Sequence, residues 1–247
     1  MQRFKIIIEY DGRPFVGWQR QKEHLSVQQV IEEAIEKFTG VKTTLYGSGR
    51  TDAGVHGLGQ VAHFSIEKDI ETDGVVGALN FHLKPYPVAI LMAEKVQDDF
   101  HARFDAVQRH YTYKILNRRP RLTFQKGLVW HVPKRLDVDA MQAGANHLIG
   151  MHDFTTFRHV HCQSDSPVKT LDYLKVERLN GSDEIHIHAG ARSFLHHQIR
   201  SITGTLSMVG HGQWAPEDVK IALQACDRSR LGLNAPPDGL YFRKVDY

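Results

Sequence analysis

The chain has 247 residues, 41% of them hydrophobic and 24% charged, with a formal net charge of +3. That is an ordinary globular composition with room for one large core or two smaller ones, and no apolar run approaches the about 18 residues of a membrane-spanning helix. Two cysteines, Cys162 and Cys226, are too few for a disulfide framework; with no signal-peptide pattern in MQRFKIIIEYDG they lead us to expect a cytoplasmic protein with reduced thiols.

In chain order, residues 3–10 read as a strand closed by the turn Asp11-Gly12. Residues 26–38 read as a helix: Ser26 and Gln29 form a capping-box pattern, and Val27, Val30, Ile31, Ala34, Ile35 and Phe38 share one face. Strands are expected near 43–47 and 60–66, a helix near 73–82 and a strand at 88–96. A second cycle starts with a strand at 110–116. A helix follows over 137–150, capped by Asp137, then strands near 169–179 and 184–190 around the hairpin signal Asn180-Gly181. Helices are expected over 193–209 and 216–226, the latter with Pro216 in its first turn, and a last strand over 240–245. Strand-helix-strand, twice over, argues an α+β protein of two similar-sized units, 1–103 and 104–247.

The chemistry concentrates in GSGRTDAGVHGLGQVAHF, residues 47–64, where five glycines surround Arg50 and Asp52. No Gly-Lys-Ser/Thr ending makes it a P-loop. Gly57 to Ala62 matches GxGxxA, but the residues that follow are strand-like where a dinucleotide site needs a helix. Taken singly, each glycine serves a sharp turn and Asp52 a local hydrogen bond. The alternative is that small neighbours leave clearance around a reactive carboxylate. The sixteen histidines include His186 and His188 on one strand face and the group His159, His161 and Cys162. No HExxH and no four ligands at a recognisable spacing occur, so no metal is expected. Positive charge gathers at Arg103 to Arg109 and at Arg118, Arg119 and Arg121, compatible with a polyanionic partner.

The run GRTDAGVH resembles the signature of the TruA family of tRNA pseudouridine synthases. IEYDGRPFVGWQRQ (8–21), DDFHARFDA (98–106), RHYTYKI (109–115), DFTTFR (153–158) and FLHHQIRSITGTL (194–206) resemble further family segments in family order. The resemblance implies the pseudouridine synthase fold, with mostly antiparallel sheets, helices on one face and the sheets joined across a central cleft. It implies a cofactor-free, metal-free isomerase acting on tRNA at anticodon stem-loop positions 38, 39 and 40, as a homodimer with no membrane association. By residue, it makes Asp52 the nucleophile, Arg200 its ion-pair partner and Tyr111 the ring that stacks on the base, with Leu240 in apolar contact with that base. RNA contacts are implied for Arg50, for Phe100, His101, Ala102, Arg103 and Phe104, for Arg119, and for His161, Cys162, Gln163, Ser164 and Asp165. Asp165 departs from the arginine common there, and an acid opposes phosphate. The alternatives are another RNA target, or a tRNA-binding module without catalysis.

Overall fold

A computed structural model describes residues 1–247, and they fall into two compact units: Met1–Val107 with Phe242–Tyr247, and Gln108–Tyr241. In the first unit, β1 (Gln2–Tyr10) pairs antiparallel with both β3 (His56–Ile66) and β4 (Val88–Val96). The two-residue β2 (Tyr46–Gly47) pairs with the middle of β3. Alternate residues Phe4, Ile6, Ile8 and Tyr10 of β1 point to one face, where α1 (Val27–Thr39) and α2 (Thr72–His82) cover them. The α1 stripe Val27, Val30, Ile31, Ala34 and Ile35 is buried as its period demands, each larger aliphatic contributing roughly 1.5–3 kcal/mol. Its capping box is half formed. Ser26 Oγ accepts from the Gln29 amide at 3.3 Å, whereas the Gln29 side chain turns to Glu33.

The second unit is built on β5 (Gln108–Leu116), β8 (Val168–Arg178) and β9 (Glu184–Ala191), in the order β5-β9-β8-β7, where β7 is Gly150–Asp153. The hairpin at Asn180-Gly181 forms, with Gly181 at φ +69. The short β6 (Trp130–His131) adds parallel to β5. Tyr113, Ile115, Ile185, Ile187, Leu174 and Val176 make the inner face, covered by α3 (Val138–Asn146), α4 (Gln198–Gly210) and α5 (Pro216–Gln224). α3 stops earlier than its periodicity suggests, because residues 147–149 turn the chain into β7 through Gly150 at φ +104. The segment DFTTFR is core: Phe154 and Phe157 are fully buried, and the Thr156 hydroxyl donates to the Ala222 carbonyl at 2.7 Å.

α4 begins at Gln198, five residues after its expected start. His197 adopts φ +65, which ends any helical path from 193, and the Gln198 side chain accepts the Leu195 amide at 2.8 Å to hold that turn. From there α4 is buried nearly all round. Its hydroxyls bond back to its own carbonyls, Thr205 to Ser201 and Ser207 to Gly204. Segment 231–235 lies against it so closely that a Cβ at Gly204 would sit 1.9 Å from the Leu233 carbonyl. The chain closes with β10 (Leu240–Asp246), whose residues from Phe242 onward belong to the first unit. No helix is long and apolar enough to cross a membrane.

Candidate active site

Asp52 sits half-buried in the loop between β2 and β3, and its backbone is held from several sides. The Trp18 amide donates to the Thr51 carbonyl at 3.1 Å, the Val55 amide to the Asp52 carbonyl at 3.2 Å, and Gly17 makes an isolated antiparallel bridge to Asp52. Beneath, the Thr51 hydroxyl and the Tyr10 phenol share a 2.9 Å hydrogen bond, and burial pushes the phenol's pKa well up, so it stays neutral. Ser48 donates to Gln60 Oε1 at 2.6 Å while Gln60 Nε2 donates to the Gly49 carbonyl at 2.9 Å. The loop is therefore preorganised by buried, partnered polar groups.

Gly47 and Gly57 do a different job from the clearance inferred above. A Cβ on Gly47 would meet the Trp18 indole at 2.6 Å and one on Gly57 the Tyr10 ring at 2.3 Å. The protein's own rings fill that space, so these glycines admit the aromatic floor under the loop. Gly17, at φ +111 with its Cβ direction 2.5 Å from the Thr51 carbonyl, permits the bridge to Asp52. The GxGxxA match is no dinucleotide site, because Gly57 to Ala62 lies inside β3. Arg50 is exposed at the head of the loop.

In the same unit, segment 100–104 is tied to β3 by a histidine that sequence reasoning missed. His63 is 3% exposed, and its Nδ1 accepts the Ala102 amide at 3.1 Å. Burial, then the charges of His101 and Arg3, hold its pKa down to about 4 despite Asp105 opposing, so the imidazole is neutral around pH 7. Its one sequence signal is a histidine in mid-strand among buried neighbours. Ala102 is fully buried, Phe104 is exposed, and the Phe100 carbonyl accepts from Arg3 at 2.9 Å.

In the second unit, Tyr111 and Tyr113 share a strand face but differ in surroundings. Tyr113 is fully buried, its hydroxyl donates to the Pro236 carbonyl at 2.7 Å, and burial raises its pKa strongly. It is a core tyrosine. Tyr111, 8% exposed, meets Phe194 edge to face at 5.1 Å. Arg200 lies in the first turn of α4, where Nε donates to the Ala235 carbonyl at 2.9 Å and Nη1 lies 3.0 Å from His197 Nε2. The Ala235 amide donates back to the Arg200 carbonyl at 3.0 Å. Segment 161–165 is anchored to the turn before α4 through the His159 amide, which donates to the His196 carbonyl at 2.8 Å; His161, Gln163 and Asp165 are exposed, Cys162 and Ser164 half-buried. Leu240 is buried, and Arg119 is exposed on the loop after β5. The strand-face histidines spend nitrogens on protein partners: His186 on Glu184 at 2.9 Å, His188 on Glu177 at 3.1 Å and on Thr112 at 3.0 Å.

The family model described as tRNA pseudouridine synthase matches residues 6–105 and 145–247. A tRNA pseudouridine synthase A of Maricaulis maris (strain MCS10) is 54% identical over 247 residues, covering 100% of this chain and 98% of that protein. One from Parvibaculum lavamentivorans is 56% identical, covering 100% of both. Among solved structures, a chain of a Cbf5-Nop10-Gar1 complex is similar at a TM-score of 0.35 and 11% identity, over 96% of this chain and 57% of that one.

Proposed function

Since this chain belongs to the tRNA pseudouridine synthase family, and is thus an isomerase that turns uridine into pseudouridine in tRNA, we propose that Asp52 is its nucleophile, Arg200 the ion-pair partner of Asp52 and Tyr111 the ring that stacks on the base. The targets we propose are positions 38, 39 and 40 of the anticodon stem-loop, reached by a homodimer. Uridine and pseudouridine have the same atoms. The C1′–N1 bond breaks, a C1′–C5 bond forms, the C5 proton leaves and N1 takes one up, so no oxidant, donor or cofactor enters the balance.

The observation that carries the reading is the clamped loop of Asp52. A carboxylate that must meet a sugar or base in one geometry needs a rigid mount, and Thr51 and Asp52 are bonded to Gly17, Trp18, Tyr10 and Val55. A carboxylate can attack carbon and leave again, as covalent catalysis requires. Arg200 supports it from the physics of α4. A cation in the first helical turn opposes the helix dipole, and the first turn of α4 holds no acid to offset it. An arginine kept there at that cost, with its fork oriented by Ala235 and His197, suits an anion outside its own helix. For the base, a ring held in place by its T-shaped contact with Phe194 suits a stacking role.

RNA contacts are assigned to Arg50, to segments 100–104 and 161–165 and to Arg119, with Leu240 against the base; Ala102, fully buried with its amide on His63 and its carbonyl on the Tyr247 hydroxyl, holds its segment in place rather than touching RNA. Incubating Asp52→Ala with unmodified tRNA tests the nucleophile: pseudouridine at the wild-type rate refutes it. Mapping pseudouridines in tRNA from a strain lacking the gene tests the positions, and retention of all three refutes the assignment.

A further inference from the structure

The first unit also carries a group of exposed rings that the isomerisation does not use. Tyr46 faces His63 across the β2–β3 ladder, yet it is 49% exposed. Its ring stacks nearly parallel on the His63 imidazole, with centroids 5.1 Å apart and planes at 15°, so His63 covers one face of the phenol. His101 meets His63 edge-on at 4.7 Å and Tyr46 at 5.7 Å. Phe104, 68% exposed, packs on His101 at 4.3 Å. The layer beneath is fixed, because His63 holds the Ala102 amide and the Asp105 carboxylate accepts the His101 amide at 2.7 Å. A ring already braced by a buried neighbour loses little freedom when a flat ligand lands on it.

We propose that Tyr46, backed by His63 and flanked by His101 and Phe104, is a stacking platform for an unpaired base of the tRNA substrate. This rests on the reading of 100–104 as an RNA-contact segment, and adds a residue and a mode of recognition to it. Exposed ring faces among charges of both signs suit a base rather than a phosphate. The inner imidazole is neutral around pH 7, Asp105 brings a carboxylate to the cluster, and the Arg103 guanidinium lies 5.7 Å from the Phe104 ring. Every base has a π-face, so such a platform serves many tRNA sequences. Tyr46 is six residues from Asp52 along the chain, a contour of at most about 20 Å, so the base it holds is a near neighbour of the target nucleotide.

The test compares Tyr46→Phe, which keeps the π-face, with Tyr46→Leu, which keeps apolar cover over His63 but loses it. Binding of unmodified tRNA and steady-state kinetics are measured at two salt concentrations, with melting temperature and oligomeric state as controls. The expected result is wild-type affinity for Tyr46→Phe. For Tyr46→Leu, Kd and KM rise about tenfold with kcat little changed. The salt slope stays that of the wild type, because no phosphate contact is lost. Equal affinities for Phe and Leu overturn the platform, as does a Tyr46→Leu variant whose oligomeric state changes while its tRNA affinity does not. Arg103→Ala separates the underlying reading: a lower affinity and a shallower salt slope there, with Tyr46→Leu at wild-type affinity, refutes the platform and leaves the segment standing. Wild-type affinity in both variants refutes both.

Discussion

Replacing His63 by Gln should flatten the dependence of stability on pH. Glutamine keeps an oxygen that can accept the Ala102 amide but does not titrate. In the wild type the His63 pKa is held down to about 4, first by burial and then by His101 and Arg3, against about 6.5 in the unfolded chain. The unfolded state therefore binds more protons than the folded state between those values, and stability falls as pH falls from 6.5 toward 4. At about pH 5 the unfolded histidine is nearly all protonated and the folded one about a tenth; integrated from about pH 7, the loss is about 2 kcal/mol. Urea denaturation of both proteins at about pH 7, 6 and 5 measures it. Subtracting the variant's curve removes contributions common to both proteins. Wild-type and variant stabilities that fall in parallel, within about 0.5 kcal/mol, refute the assignment of a buried neutral imidazole.

Gly17→Ala forces a side chain into φ +111 and against the Thr51 carbonyl; it should cost about 1–3 kcal/mol in thermal or urea melts and lower activity through displacement of Asp52. Tyr113→Phe should lose about 1 kcal/mol of stability, its hydrogen bond to Pro236, while keeping a near-normal rate. Tyr111→Leu should instead weaken transition-state binding by about 1–3 kcal/mol, read from kcat/KM. Gly204→Ala should push segment 231–235 off α4, with a lower melting temperature and, as Ala235 no longer orients Arg200, a lower kcat. Excess chelator should leave the rate unchanged, as the proposed metal-free isomerisation requires.

Local sequence determined whatever depends on the period of burial and on turn chemistry. The apolar stripe of α1, the hairpin at Asn180-Gly181, the strand at 88–96 and the Asp137 cap of α3, which accepts the Ala140 amide, are all readable because each is written within a dozen residues. The GRTDAGVH run and its companions likewise pointed to the family without any coordinates. Tertiary structure alone decided what fills a space or faces a side chain. The indole against Gly47 comes from Trp18 and the ring against Gly57 from Tyr10, so glycines that looked like clearance for a substrate turned out to be room for the protein's own floor. The alternation of β5 puts Tyr111 and Tyr113 on one face, but only the Pro236 carbonyl makes Tyr113 a core residue. The left-handed turn at His197 interrupts a helix that apolar spacing extends back to 193. His63 became visible only once the Ala102 amide, 39 residues away, was seen to bond to it. Periodicity reports that a face is buried; the partner that buries it, tens of residues distant, is chosen by packing.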